Sequence, residues 1–432
     1  MTAVATRPNP PARTADDADI EVPRRWKAPI AYGVVALLAL IAFGLGSAVG
    51  AETTFHVARD TDAFQIQDFS VPSRAAAVLF AGFAAALAAL SAWSVWTRRR
   101  FGPWLPSVFG VAVVLALLLW AGAGKETTNI NITGLLAGGL IFAGPLVFGS
   151  LAGMVCERSG VINIAIEGQL LFGAFLAAVV ASATGSAWLG LSAAPVAGAL
   201  IGALLALFAV RYWVDQIVVG VVLNVLVVGL TGFFFGTVLK ANPNLNLPTG
   251  LEAWPVPGLS RIPVIGPVLF DHSPLIYIMF VVVAVLHVML FKSRWGLRVR
   301  AVGEHPKAAD TVGIKVNRTR VRNTILGGAI AGLGGAFFTV AAGLGFGKEM
   351  TGGKGYIALA AMILGRWSPK GAFAAALLFG LADQLRRDLG IIGSSIPGEF
   401  ISMLPYLATI FAVAGIAGRV SAPAAEGKPY KS

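Results

Sequence analysis

The chain has 432 residues, 56% of them hydrophobic and only 12% charged, with a mean hydropathy of +0.78. This places it among integral membrane proteins and leaves no room for a large soluble domain. A net charge of +12 in a soluble protein would suggest a nucleic-acid partner. Here the basic residues sit mostly in short loops between apolar runs, where they set topology, which argues against nucleic-acid binding. One cysteine, Cys156, excludes an internal disulfide and a cysteine-based zinc cluster, and His56, His272, His287 and His305 show no metal-ligand spacing.

In chain order, residues 1 to 27 mix Pro, Ala, Arg and Asp without apolar periodicity and read as a disordered cytoplasmic tail. The run from Pro29 to Gly50 is long enough to span a bilayer as an uncleaved anchor, although Ala48, Gly50 and Ala51 resemble a signal-peptidase site. Two further spans, Arg74 to Trp96 and Trp104 to Gly124, flank the basic triplet Arg98, Arg99 and Arg100. More apolar runs lie near 134–154, 160–184, 188–210, 215–239, 273–291 and 323–346, then Tyr356 to Leu364, 371–387 and 400–418. The run from Tyr356 is too brief for a spanning helix of ~20 residues. Gly352, Gly353 and Gly355 precede it, so a broken or re-entrant helix buried in protein is expected there. The fold class is an all-α polytopic membrane protein of about 11–12 membrane segments, counted with or without that short helix.

With the N-terminus inside and twelve crossings, the inside segments hold 24 Lys and Arg and the outside segments nine. This bias puts both termini in the cytoplasm and the Pro-rich loop of about residues 242–274 outside. Residues 292–322, with nine of the 33 Lys and Arg, form a charged cytoplasmic island between two spans. Within it Glu304, His305, Pro306, Lys307, Ala308, Ala309, Asp310 and Thr311 read as a short helix. Pro306 suits its first turn, Glu304 complements the positive end of its dipole, and Gly313 can stop it. Such a helix offers a docking knob for a soluble partner; the alternative is a solvated loop that only anchors topology.

GLRVRAVGEHPKAADTVGIKVNRTR (296–320) resembles the coupling loop of ABC-importer permeases of the nucleoside-uptake group, relatives of ribose and branched-chain amino-acid permeases. CERSGVINIAIEGQLLFGAF (156–175) and YIALAAMILGRWSPKGAFAAALLFGLADQL (356–385) are similar to the same group. The resemblance covers roughly residues 127–418. It implies a permease core over 126–418 with coupling loop 292–322, an added extension of three spans over 28–125, and a cytoplasmic tail over 419–432. It further implies one half of a two-subunit pore, expected as a heterodimer with a second permease. A separate ATPase subunit would receive residues 304–311 and Gly313, and an extracytoplasmic binding protein would deliver a nucleoside. ATP and Mg would be bound by the ATPase, and this chain would need no cofactor and break no bond. Gly347-Lys348 runs into Glu349 and Gly353-Lys354 into Gly355, so neither makes a phosphate-cradling loop.

Polar groups within spans nominate the substrate pathway. Asn163 and Glu167, four residues apart, would share one face of a helix, and Asn224 lies mid-span. Donors and acceptors for a ribose or base edge are one reading. The other is structural, with Asn163 and Glu167 capping the helix that starts after ERSG and Asn224 making an interhelical hydrogen bond. Asp383 and Gln384 are expected to be wet. Gly198 and Gly202, and Gly328, Gly332 and Ala336, have the spacing of close helix packing; a leucine at 332 is expected to uncouple ATP hydrolysis from uptake. Trp93, Trp96, Trp104, Trp120, Trp188, Trp213, Trp295 and Trp367 are placed as interface anchors, and Phe233, Phe234 and Phe235 as packing or lipid-facing groups. A sugar or branched-chain amino-acid permease stays open, as does a self-sufficient secondary transporter or channel.

Overall fold

A computed structural model of the chain describes residues 26–59, 61–99, 102, 104–125, 130–393, 398–403 and 422–431. The expected tail up to residue 25, Arg100 of the basic triplet, and most of the last expected span lie outside them. Among the described residues eight helices are long and apolar enough to cross a membrane. These are α1 (Lys27–Ala39, prolonged by a π turn to Leu45), α2 (Ser73–Trp96), α3 (Trp104–Ala121), α4 (Ile132–Glu157), α5 (Ile166–Thr184), α6 (Ala187–Ala206, prolonged to Arg211), α7 (Gln216–Phe234, prolonged to Leu239) and α8 (Pro274–Lys292). They are followed by α9 (Arg294–Glu304), α10 (Pro306–Thr311), α11 (Val316–Gly335), α12 (Lys354–Leu364), α13 (Pro369–Ile392) and α14 (Gly398–Ser402). The all-α polytopic class holds.

Boundaries follow local chemistry. The Asn131 side chain accepts from Gly134 N at 2.6 Å to start α4, and Asp215 accepts from Ile217 N and Val218 N to start α7. Left-handed Gly185 and Gly393 end α5 and α13. Two expected runs are interrupted. The run 160–184 becomes helical only at Ile166, and the run 323–346 is helical only to Gly335, its helix having begun inside the charged island at Val316.

The described residues also contain strands that the apolar runs did not suggest. β1 (Glu52–His56) pairs antiparallel with β2 (Phe69–Pro72) and parallel with β3 (Ile130–Asn131). A two-residue pair, β4 (Trp254–Pro255) and β5 (Asp271–His272), lies in the Pro-rich loop. β-branched and aromatic residues in ETTFH carry the only sequence signal for the first sheet.

Two compact units result: Met1–Ser47 with Arg74–Leu117, and Ala48–Ser73 with Leu118–Ser432. The first packs small residues (Ala36, Ala84, Ala88, Ala112) around Leu87 and Phe109. The division therefore runs through the extension: its loop 48–73 is built into the larger unit, where Arg59 Nη2 pairs with Asp271 Oδ2 at 3.0 Å and Ala63 N donates to Arg261 O at 2.8 Å.

The core of the larger unit lies where α4, α5, α6 and α11 meet. Gly198 and Gly202 face Gly328 and Gly332: a β-carbon on Gly332 would stand 2.3 Å from Ala194 O, and one on Gly328 2.4 Å from Gly198 O. The expected close packing is present, but so tight that a leucine at 332 has no place to go. Failure of α6 and α11 to pack replaces uncoupling as the expected effect of that substitution.

Candidate functional site

Two interruptions of helix meet inside the larger unit. Gln216, at the start of α7, accepts from Ile162 N through Oε1 at 2.7 Å. Asn224, eight residues further on and so ~12 Å along the axis, accepts from Gly168 N at 2.8 Å and donates to Ile164 O at 2.9 Å. Residues 161–163 and the turn 164–165 are therefore a non-helical stretch that runs beside α7 before α5 begins. Opposite them the chain leaves Phe346, whose N–H donates to Asn246 Oδ1 at 2.6 Å. It then runs unwound through 347–353, with Glu349, Gly352 and Gly353 at positive φ, until α12 starts. The short run is thus a half-helix fed by a non-helical segment, the arrangement tolerated at membrane depth only where protein or a cavity covers it.

Glu167 joins the two interruptions. Its Oε1 accepts from Thr351 Oγ1 at 2.6 Å and from Gly353 N at 2.9 Å, and its Oε2 accepts from Gly355 N at 2.6 Å. The carboxylate of one helix thereby caps the N-terminus of another, where free amides and the dipole favour negative charge. Gly355 permits the approach, since a β-carbon there would stand 2.4 Å from Glu167 N. Asn224 completes the join by donating to Tyr356 Oη at 3.2 Å.

Of the three sequence candidates, the structure brings Glu167 and Asn224 to one cavity of ≈ 330 Å³, lined also by Glu349, Thr351, Tyr356, Leu171 and Val228. Asn163 is elsewhere. It precedes α5, is fully buried, and exchanges hydrogen bonds with Gln169 at 3.0 and 3.3 Å. It therefore neither shares a helical face with Glu167 nor caps α5, whose N-cap position is Ala165. Glu349, Thr351 and Tyr356 were missed, because a polar stretch between spans reads as a loop; the glycines before α12 were the available signal. Asp383 is half-buried and paired with Lys354 rather than wet, and the Gln384 amide donates to Asp388 Oδ1 at 2.7 Å.

A second constellation lies at the end of the helices that carries α10. Pro306 opens α10 and left-handed Gly313 follows it, as the spacing predicts. Glu304, His305, Lys307, Ala308, Asp310, Thr311 and Gly313 are exposed, Pro306 is partly covered, and Ala309 is buried against Val302 and Val316. Beneath this element, Gly303 lies so close to Arg158 that a β-carbon would stand 2.2 Å from Arg158 O. Burial lowers the pKa of the Arg158 guanidinium, which donates to Trp367 O at 3.0 and 3.1 Å. Trp367 is itself buried and donates to Glu157 Oε2 at 2.5 Å, so it braces this end instead of anchoring at an interface. Phe234 and Phe235 pack on Phe175 and Phe346, whereas Phe233 is exposed.

Residues 422–431 strap this element down. Ala425 N donates to Gly303 O at 2.9 Å, Ala424 N to Glu304 Oε2 at 3.2 Å, and Tyr430 Oη to Asp310 Oδ2 at 2.9 Å. The buried Arg320 donates to Lys428 O at 2.7 Å. Glu426 hydrogen-bonds Glu157, and burial pushes the Glu426 carboxyl above its usual range. The short aperiodic chain end, read as a cytoplasmic tail, gave no sign of this docking. No group of three or more His, Cys, Asp or Glu side chains among the described residues is placed to hold a metal ion.

Residues 135–413 match the family described as the permease component of branched-chain amino acid transport systems. The chain is similar to the guanosine ABC transporter permease protein NupQ of Bacillus subtilis, with 39% identity over 67% of this chain and 94% of the relative. It is similar to the nucleoside ABC transporter permease protein NupC of Lactococcus lactis, with 38% identity over 68% and 96%. A putative glucose ABC transporter permease protein of Haloferax volcanii is 34% identical over 59% of this chain and 77% of the relative. No solved structure matches the chain.

Proposed function

The chain belongs to the family of permease components of branched-chain amino acid transport systems, and from that membership we propose that it carries nucleosides inward as the membrane subunit of an ABC importer. Its place as a multi-pass permease of the plasma membrane comes with the family and the eight apolar helices. Movement would be by alternating access, driven by ATP and Mg bound on a separate ATPase subunit, with both termini and α10 in the cytoplasm. The carrying observation is the cavity beside the middle of α7, where a half-helix N-terminus and an unwound segment meet. That is the construction by which discontinuous helices present polar backbone to a small solute.

The nucleoside reading takes its support from relatives named for guanosine and nucleosides. A sugar is the second reading, supported by the likeness to a putative glucose permease. A second permease subunit would complete the pathway, and the cavity lies beside exposed Val221, Val222 and Val225 of α7. An external binding protein would deliver the solute. α10 and the two residues before it would dock on the ATPase, with Glu304, His305, Lys307 and Thr311 outward and Ala309 as the inward anchor.

Uptake into proteoliposomes holding the complete complex tests the substrate. ATP-dependent accumulation of nucleoside, not competed by ribose or leucine, is expected. A complex that carries ribose or leucine and ignores nucleosides refutes the reading.

A further inference from the structure

We propose that Glu349 is the residue that grips the sugar of the transported solute, its carboxylate accepting hydrogen bonds from the vicinal 2′- and 3′-hydroxyls of a ribonucleoside. The inference rests on the nucleoside reading above and assigns the polar end of that cavity.

Hydrogen-bonding capacity singles Glu349 out. Seven polar or backbone groups line the cavity: Glu167, Asn224, Glu349, Thr351, Gly352, Gly353 and Tyr356. Both oxygens of Glu167 are occupied by Thr351, Gly353 and Gly355. Thr351 has given its hydroxyl proton to Glu167. Asn224 is taken up by Gly168, Ile164 and Tyr356. The acid that sequence reasoning nominated for the solute is therefore committed to the fold. Glu349 is exposed, and its carboxylate has no hydrogen bond or ion pair to any described residue. It is an acceptor-only group with room for several donors.

Its backbone adds to the case. Glu349 sits at φ +51°, a region that side chains with a β-carbon enter at a cost and that glycine enters freely. The same segment uses glycine at 352 and 353, where φ is also positive. A glutamate at such a position points to a use for its side chain. Two adjacent hydroxyls match the two oxygens of a carboxylate. The other wall of the cavity, Leu171, Val225, Val228 and the half-exposed Tyr356 ring, suits the face of a base. The same negative charge disfavours the carboxylate of a free amino acid.

The test compares initial uptake of a ribonucleoside and its 2′-deoxy counterpart, each presented on saturated binding protein, by complexes holding the wild type, Glu349→Gln or Glu349→Gly. The binding protein's own preference is common to all three and cancels in the ratio. Glycine relieves the positive φ while removing the carboxylate, so impaired folding cannot account for its behaviour. Both variants are expected to lower the ribo-to-deoxy ratio by about tenfold, the effect of losing one charged hydrogen bond. A wild-type complex that carries ribonucleosides alongside variants that keep its ratio overturns the assignment while leaving the nucleoside reading intact. A wild-type complex that carries no nucleoside overturns both.

Discussion

Glu167 commits both carboxylate oxygens to the start of α12 and the segment before it, and the consequence is thermodynamic. Charge-assisted hydrogen bonds contribute about 1.5–3 kcal/mol each, and removing one partner leaves buried amides unpaired. Glu167→Gln keeps one oxygen but turns an amide NH₂ toward backbone N–H groups of the α12 start. A loss of about 3 kcal/mol is expected, read as a lower unfolding midpoint of the purified protein. A variant that melts with the wild type contradicts the capping role. Asn163, Glu167 and Asn224 were visible in the sequence as buried polar residues, because polar groups in apolar runs stand out. Their geometry was not visible: the four-residue spacing of Asn163 and Glu167 implies a shared face only if the chain is helical between them, and residues 161–165 are not.

Among the elements, α10 and the strap 422–431 form one mechanical piece, and the strap has a titratable fastening. Glu426 meets Glu157, whose Oε2 accepts from the Trp367 indole, while Glu304 and Arg320 hold the neighbouring strap residues Ala424 and Lys428. Burial raises the Glu426 pKa. A carboxyl whose pKa is higher docked than free favours docking while protonated, so this contribution is complete below the free value and is lost as pH rises through the raised one. Cleavage after Tyr430 by chymotrypsin, measured relative to Glu426→Gln at each pH, is expected to accelerate as pH rises, because glutamine mimics the protonated form throughout. A ratio that stays flat contradicts the fastening. The short helix α10 itself was legible, since Pro306 and Gly313 mark its limits and turn chemistry acts locally. The strap was not, because its affinity comes from partners more than a hundred residues away and its own sequence has no periodicity. The close pairing of α6 with α11 was legible as two small-residue motifs, though not that each faces the other.

For the whole molecule, the apolar runs gave the class and most of the spans, because in lipid a run of about 20 apolar residues has few alternatives to a helix. They did not reveal that the extension is divided between two units. Loop 48–73 pairs with β3 and with the Pro-rich loop, and such pairing leaves no mark in hydropathy. Deleting residues 1–125 would therefore strip β1 and β2 from the larger unit as well as removing three helices.

Docking of α10 on an ATPase subunit is tested most directly by purifying the protein in detergent, with α10 intact and with Glu304, His305 and Lys307 changed to alanine, and identifying what comes with it. His305 and Lys307 are exposed and Glu304 gives up only its bond from Ala424 N of the strap, so the variant should fold. An ATPase subunit and a second permease are expected with the intact protein, the ATPase being lost from the variant and the second permease retained. An intact protein that brings down neither, yet transports solute on its own, contradicts the importer reading and makes the chain a self-sufficient transporter.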